Sequence, residues 1–315
     1  MSAGVLNQVS FKRETVWGTP VVPDKSIPVR FTGGIQTQQD IQLLSSVTAR
    51  IPKNYEAMVG NRTHEGNYEF DHFVDHIGFF LLSAMGNVAS LVAGGETIVF
   101  NHTFSEVETK PSLTIEQVVG ENIRRFAGSI VTVITFSGEA GAVSSVAASI
   151  KSKSQASAVA ITPVYTAIRP FNFADAKIKI GGITLTEVQN YQIEFNNNVE
   201  LLHTLNSNDP QFRFIKGSEV SGTIEMFLDT ATLVELNNYL TKNEREIILE
   251  LTGGSIGVAS FNKMVLTIPR AVLTTADTEI SEDHNMLTIE FQGLFDTVSS
   301  KMISVVLTNL LANYN

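Results

Sequence analysis

The residues of this chain best placed for chemistry are the two histidines of His72-Phe73-Val74-Asp75-His76. Histidines four apart share one face of a helix, the arrangement by which zinc helices present two imidazoles to one ion. A zinc hydrolase also needs a glutamate directly after the first histidine as general base, and Phe73 stands there. Glu69 and Asp71 are the nearest third ligands, yet acidic residues at a helix start are expected from the macrodipole alone. The competing reading is a polar helix face at an interface. There is no Walker A sequence and no G-x-G-x-x-G following a strand. The doublets Gly33-Gly34, Gly94-Gly95, Gly181-Gly182 and Gly253-Gly254 lie beside strand-like runs and read as turns. No pair of carboxylates sits in an apolar setting that would push two pKa values apart. The absence of cysteine excludes disulfides, thiolate metal sites and a cysteine nucleophile. Nothing here argues for an enzyme, and no cofactor is implied.

The elements that would carry these residues are mostly strands. Alternating or β-branched runs recur at Thr97-Ile98-Val99-Phe100, Ser112-Leu113-Thr114-Ile115, Ile130-Val131-Thr132-Val133 and Tyr191-Gln192-Ile193-Glu194-Phe195, and again at Ile247-Ile248-Leu249, Val265-Leu266-Thr267, Leu287-Thr288-Ile289 and Val305-Val306-Leu307. Short runs separated by turn residues predict antiparallel sheets rather than a βαβ succession. Two stretches break the pattern. Apolar residues at three- and four-residue spacing predict an amphipathic helix over residues 71–85 and another over 229–240, with Asp229 as N-cap.

Composition bounds the rest. A chain of 315 residues suggests two domains at the usual ~150 residues each. Hydrophobic residues at 43% against 17% charged exclude disorder as the overall state. A formal charge of -10 makes a poor wrapper of nucleic acid or anionic membrane, because gripping phosphates needs clustered cations. The first residues show no charged segment followed by an apolar one, so no secretory signal is expected. The most apolar run, residues 77–85, is about half the ~20 residues that span a bilayer, which predicts no membrane insertion.

An internal repeat emerges when the chain is laid on itself. At one constant offset Gly66 falls on Gly222, Glu69 on Glu225, Ile77 on Leu233, Phe80 on Leu236 and Asn87 on Asn243, and slightly out of that register Leu113-Thr114-Ile115 matches Leu266-Thr267-Ile268. The order of extended segment, long polar stretch, Gly-x-x-Glu strand, helix and strands occurs twice. This predicts domains at 1–165 and 166–315, with Lys151-Ser152-Lys153-Ser154-Gln155-Ala156-Ser157 as linker or loop at the join. Each half also has a long stretch without sustained periodicity, 36–65 and 196–219. Loops of that length are usually functional or disordered, and disordered ones seldom hold so many apolar residues. Leu43, Leu44, Tyr55 and Met58 in the first, and Leu201, Leu202, Phe212 and Phe214 in the second, mark projecting hairpin arms that order against a neighbour; a loop folded over its own domain is the alternative. Between residues 271 and 296 stand Asp277, Glu279, Glu282, Asp283, Glu290 and Asp296 without any Lys or Arg. The run reads as a solvated sheet face, or as a surface that must not hold polyanions.

The residues also resemble a family. Phe11-Lys12-Arg13-Glu14-Thr15-Val16-Trp17-Gly18-Thr19-Pro20 resembles the K-x-E-T-x-x-G-T opening of tail tube proteins from long-tailed bacteriophages. The glycine, strand and helix from Gly66 to Gly86-Asn87, the strand Pro111-Ser112-Leu113-Thr114-Ile115-Glu116, Ala127-Gly128-Ser129-Ile130 and the closing strands over 271–307 are similar in order and spacing. The resemblance implies a mostly β (α+β) fold: two tandem tail-tube-like β-sandwich or barrel domains, each with one flanking helix and a long hairpin arm reaching the next ring. It implies a structural virion protein of the tail, assembled in the host cytoplasm, polymerising as stacked rings into a β-lined channel for DNA. Its partners would be further copies of itself, a tape-measure protein, a tail terminator and baseplate or tip proteins, with only transient, non-adhesive contact with passing DNA. Asp277, Glu279, Glu282 and Asp283 become candidates for the channel wall. Many family members have one domain and form hexamers. Two domains per chain favour a trimer with pseudo-sixfold symmetry over a hexamer. A tube protein of a contractile or phage-derived injection particle, and a soluble ligand-binding β-protein, are the alternatives.

Overall fold

The computed structural model describes residues 7–30, 33–45, 51, 53–165, 169–230, 232–280 and 284–314. Period-two alternation of apolar and polar residues becomes antiparallel strand almost throughout. In the first half, β1 (Gln8–Arg13), β2 (Lys25–Ile27), β3 (Gln36–Ser45) and β4 (Asn54–Asp71) precede the helix α1 (Val74–Met85). After it come β5 (Gly86–Val92), β6 (Phe100–Glu106), β7 (Leu113–Val119), β8 (Asn122–Glu139), β9 (Ser145–Ser152) and β10 (Ser154–Ser157). The second half begins β11 (Ala176–Ile180), β12 (Ile183–Leu185), β13 (Val188–Asn196), β14 (Val199–Leu202), β15 (Phe212–Ile215) and β16 (Glu219–Phe227). It continues with the helix α2 (Leu233–Leu240), β17 (Arg245–Ser255), β18 (Phe261–Ile280), β19 (Asn285–Gly293) and β20 (Ser304–Asn309).

The two halves use the same pairings. In the first, β1 pairs β2 and β7, β7 pairs β8, β8 pairs β9 and β10, β9 pairs β4, and β4 pairs β3. In the second, β11 pairs β12 and β17, β17 pairs β18, β18 pairs β19 and β20, β19 pairs β16, and β16 pairs β13. The β14–β15 hairpin continues β13 and β16 as the outer part of the β3–β4 hairpin continues its inner part, with Val199 opposite Ile215 as Ile41 is opposite Val59. The β5–β6 hairpin after α1 is an insertion. Two joints knit the halves together, β8 with β13 and β6 with β20. One sheet therefore runs β3-β4-β9-β8-β13-β16-β19-β18 and stays open at both ends. A single buried apolar cluster extends from Val9 to Tyr314.

Both predicted helices form, with corrections. Residues 71–73 are not helical: Asp71 ends β4, and the His72 N–H bonds the Ser144 carbonyl. Nor is α1 amphipathic, since every residue but Asp75 is buried. Phe79 and Phe80 pack on Phe11 at ring distances of 5.4 and 5.2 Å, and Tyr314 from the C-terminal segment covers Phe79 at 4.9 Å. That segment covers the side which a one-sided helix would leave in water. The helix stops at Gly86, whose φ of 104° lets its N–H bond the Leu82 carbonyl. In α2 the expected faces are inverted. Glu235 and Asn238 are buried while Leu233 and Leu240 are exposed, because Glu235 bonds both Arg245 (3.2 Å) and Asn238 (3.1 Å). The N-cap position belongs to Thr232, whose N–H bonds the Asp229 carboxylate.

The expected linker at 151–157 is built into strands β9 and β10. The chain beyond it stays tied to the first half, where the Ile161 N–H bonds buried Glu116 and Val164 exchanges hydrogen bonds with Ser26. Gly253-Gly254 is not a turn between strands; it lies inside β17 at an irregular register against β18.

Candidate assembly surface and channel face

The sheet run β3-β4-β9-β8-β13-β16-β19-β18 has one face on the core and one away from it. Core residues alternate along each strand: Tyr68 and Phe70 on β4, Ile134 and Phe136 on β8, Ile193 and Phe195 on β13, Ile224 and Met226 on β16, Ile289 and Phe291 on β19. The intervening residues define the other face, which is polar and mainly acidic. It carries Glu69 and Asp71 on β4, Glu139 on β8, Glu194 on β13, Glu225 on β16 and Glu290 on β19. Asp277 and Glu279 extend it on β18, opposite Thr288 and Met286, and both are exposed. Glu282 and Asp283 lie outside the described residues. The cations on this face are few: Arg30 holds Glu69 at 3.0 Å and Asp71 at 2.7 Å, while Lys151 lies 3.8 Å from Glu65. The Gly-x-x-Glu spacing seen in sequence at Gly66 and Gly222 puts Glu69 and Glu225 on this same face in both halves. The polar alternation in residues 188–196 was the signal that would have found Glu194.

Both long stretches are hairpins. In the first, Ile41 opposes Val59, Leu43 opposes Ala57, Gln42 opposes Met58 and Leu44 opposes Glu56. Leu43, Tyr55 and Met58 are each more than half exposed, whereas Leu44 is partly covered. In the second, Leu202 opposes Phe212 and Glu200 opposes Phe214, so Leu202, Phe212 and Phe214 share an exposed face. Leu201 opposes Arg213 on the other face, which docks on the first half. Arg213 donates to the Lys110 carbonyl (2.6 Å) and lies 5.7 Å from the Trp17 ring centroid. At the tip, Arg62 N–H donates to the Asn208 carbonyl and Asn208 Nδ2 donates to the Gly60 carbonyl. The second arm is thus folded partly over its own chain, with its tip bonded to the first arm while Leu43, Tyr55 and Met58 stay exposed.

Three of the four sequence motifs of the first half meet at one buried carboxylate that spacing alone did not reveal. Glu14 accepts hydrogen bonds from the hydroxyls of Ser112 (2.6 Å) and Thr114 (2.7 Å), and from the backbone N–H groups of Gly18 (2.9 Å) and Gly128 (2.8 Å). Trp17 Nε1 donates to the Gly128 carbonyl alongside. A family model described as phage tail tube protein matches residues 4–293. The chain belongs to the phage tail tube protein family. No curated protein matches it. This tail tube protein is a structural component of the virion tail. The family's opening motif now has a physical basis: its glutamate and glycine, the serine and threonine of the P-S-L-T strand and the glycine of Ala127-Gly128-Ser129 close one hydrogen-bonded hub.

His72 and His76 are packing residues in this tail tube protein. His72 precedes α1, so His72 and His76 do not share a helix face. His72 lies 5.6 and 5.2 Å from the rings of Phe136 and Phe171, and burial pulls its pKa down to about 3. Burial, helped by the charge of Lys25, lowers His76 to about 4. Among the described residues no group of three or more His, Asp or Glu side chains is arranged to hold a metal ion.

Proposed function

We propose that three copies of this chain close into a ring and that the rings stack into a tube whose bore passes DNA into the host. The observation that carries this reading is the duplicated set of strand pairings. Each half supplies one four-strand unit to the sheet, β3-β4-β9-β8 and then β13-β16-β19-β18, so three chains supply six similar units. The halves, 1–165 and 166–315, are on this reading two copies of one tail-tube unit sharing a continuous sheet. At a strand spacing of ~4.8 Å and a tilt of ~40°, three such eight-strand runs close a cylinder roughly 50 Å wide between backbones. That clears a DNA duplex with side chains lining the wall. Six chains would roughly double the width and leave most of the bore empty.

The acidic face suits such a wall. Glu69, Glu194, Glu225, Asp277 and Glu290 repel phosphates, so DNA would slide along the bore without adhering. The exposed apolar residues of the two arms, Leu43, Tyr55 and Met58 on the first and the shared face of Leu202, Phe212 and Phe214 on the second, would make the contact to the adjoining ring. A tape-measure protein inside the bore, with terminator and tip proteins at the ends, would complete the tail. Cryo-EM of assembled tubes tests the reading: three chains per ring with approximate sixfold symmetry are expected. Six chains per ring, with only one half of each facing the bore, would refute it.

A further inference from the structure

We infer that the ring closes by antiparallel pairing of β3 of one copy with the C-terminal part of β18 of the next, Gln36 opposite Asp277 and Gln38 opposite Thr275. The inference rests on the ring reading above and adds the identity and register of the joint. Among the described residues β3 pairs only with β4, and β18 beyond Leu273 pairs only with β19. Each strand therefore has a free edge, which a folded protein ordinarily covers or blunts.

The chain contains its own template for covering them. By the shared pairings, β13 is the counterpart of β3, and β8 the counterpart of β18. Inside the chain β8 and β13 are already joined, with Glu194 opposite Thr135 and Asn196 opposite Val133. The register transfers residue by residue. Gly66 pairs Ile150 on β9 as Gly222 pairs Phe291 on β19, which fixes the alignment of the two units. Gln36 opposes Glu65 as Glu194 opposes Ser221, so Gln36 is the counterpart of Glu194 and Gln38 of Asn196. Thr135 opposes Ala147 as Asp277 opposes Thr288, so Asp277 is the counterpart of Thr135 and Thr275 of Val133.

An independent feature checks the alignment. β8 has an irregularity between Val131 and Val133 against β9, and β18 has one between Leu273 and Thr275 against β19. The extra residue is a threonine in both, Thr132 and Thr274. At the internal joint, Asn197 donates its N–H to the Thr132 carbonyl (2.8 Å) and its Nδ2 to the Val131 carbonyl (2.9 Å). The counterpart of Asn197 is Gln39, again an amide side chain. The side chains differ in one respect. Ile193 and Phe195 meet Phe136 and Ile134 inside the chain, whereas Ile35 and Thr37 would meet Thr278 and Ala276 between chains. The joint between chains is the less apolar of the two, as suits an edge that must stay soluble before assembly.

Cysteine pairs test this in a chain that has no cysteine of its own. Directly opposed residues have Cα atoms ~4.5–5.5 Å apart, within disulfide reach, whereas a pair displaced by two lies at ~7 Å, beyond it. Full-length protein carrying Gln36→Cys with Asp277→Cys, or Gln38→Cys with Thr275→Cys, is assembled, oxidised and run on non-reducing gels beside micrographs. Covalent species ending at three chains are expected from both pairs, and none from Gln38→Cys with Asp277→Cys or from any single variant. Tubes that form normally but cross-link only in the displaced pair, or in none, would overturn this joint while leaving the ring reading intact. If the unsubstituted protein forms neither rings nor tubes, the ring reading fails and this joint fails with it.

Discussion

Glu14 is the residue whose loss should cost the protomer most for a single side chain outside the apolar core. Its two carboxylate oxygens each accept from one hydroxyl and one backbone N–H: Oε1 from Thr114 and Gly128, Oε2 from Ser112 and Gly18. Glu14 is only 3% exposed, so little water can replace it. Hydrogen bonds to a charged group contribute about 1.5–3 kcal/mol each, and each buried donor left unpaired costs about 1–3 kcal/mol. Serine and threonine hydroxyls can rotate toward other acceptors; the two glycine N–H groups are fixed by the backbone. Glu14→Ala should therefore lose about 3–6 kcal/mol, a large share of the ~5–15 kcal/mol that stabilises an ordinary domain. Glu14→Gln preserves the shape but turns one acceptor into an NH2 donor aimed at an N–H. It should lose about 2–4 kcal/mol, and Thr114→Val in the same chain should add less than it does alone. Urea unfolding of the unassembled protomer, followed by far-UV dichroism, measures each value. A loss below about 0.5 kcal/mol for Glu14→Ala would refute the hub as the element that binds the three motifs together.

Gly66→Ala would drive a Cβ into the backbone of Gly34 and Ile35 and should cost about 2 kcal/mol or more, while Gly254→Ala, which meets open space, should be neutral; thermal melts of the two variants give the contrast. Arg213→Ala should release the second arm from Trp17, the only tryptophan, shifting its fluorescence and opening residues 203–209 to proteolysis; an unchanged spectrum would count against the docked arm. His72 and His76 are held neutral by burial, with folded pKa values of about 3 and about 4 against 6.5 when unfolded, so the unfolded chain takes up protons first and stability falls as pH drops from 6.5 toward 3. Burial raises Asp75 to about 6 from 3.8, which offsets part of this between those values; His72→Phe should flatten the acid limb of a pH–stability curve by about 4 kcal/mol at pH 3. Tubes assembled from protein carrying Asp277→Lys with Glu279→Lys should eject DNA more slowly, most at low salt where screening is weakest; unchanged ejection kinetics would remove these residues from the bore.

Much of this protein was legible in its residues because strand and helix signals are local. Period-two runs placed β7, β8, β13 and β17–β20, and three- and four-residue spacing placed both helices. The order and spacing of the family motifs pointed to a structural tail protein. The offset of Gly66 on Gly222 located the two helix-bearing segments that the shared pairings align. What the residues could not show were relations between distant segments. α1 reads as amphipathic, yet Tyr314 buries its outer side; α2 reads as apolar inward, yet an Arg245–Glu235 pair turns it round. The small polar residues at 151–157 read as a linker, yet they pair as strands because β4 and β8 offer them free edges. Ser112, Thr114 and Gly128 are far from Glu14 in the chain, so only folding brings these three donors to its carboxylate; the fourth, Gly18, is local. The acidic face is likewise a property of the sheet: each strand supplies only one or two of its charges, and register alone aligns them.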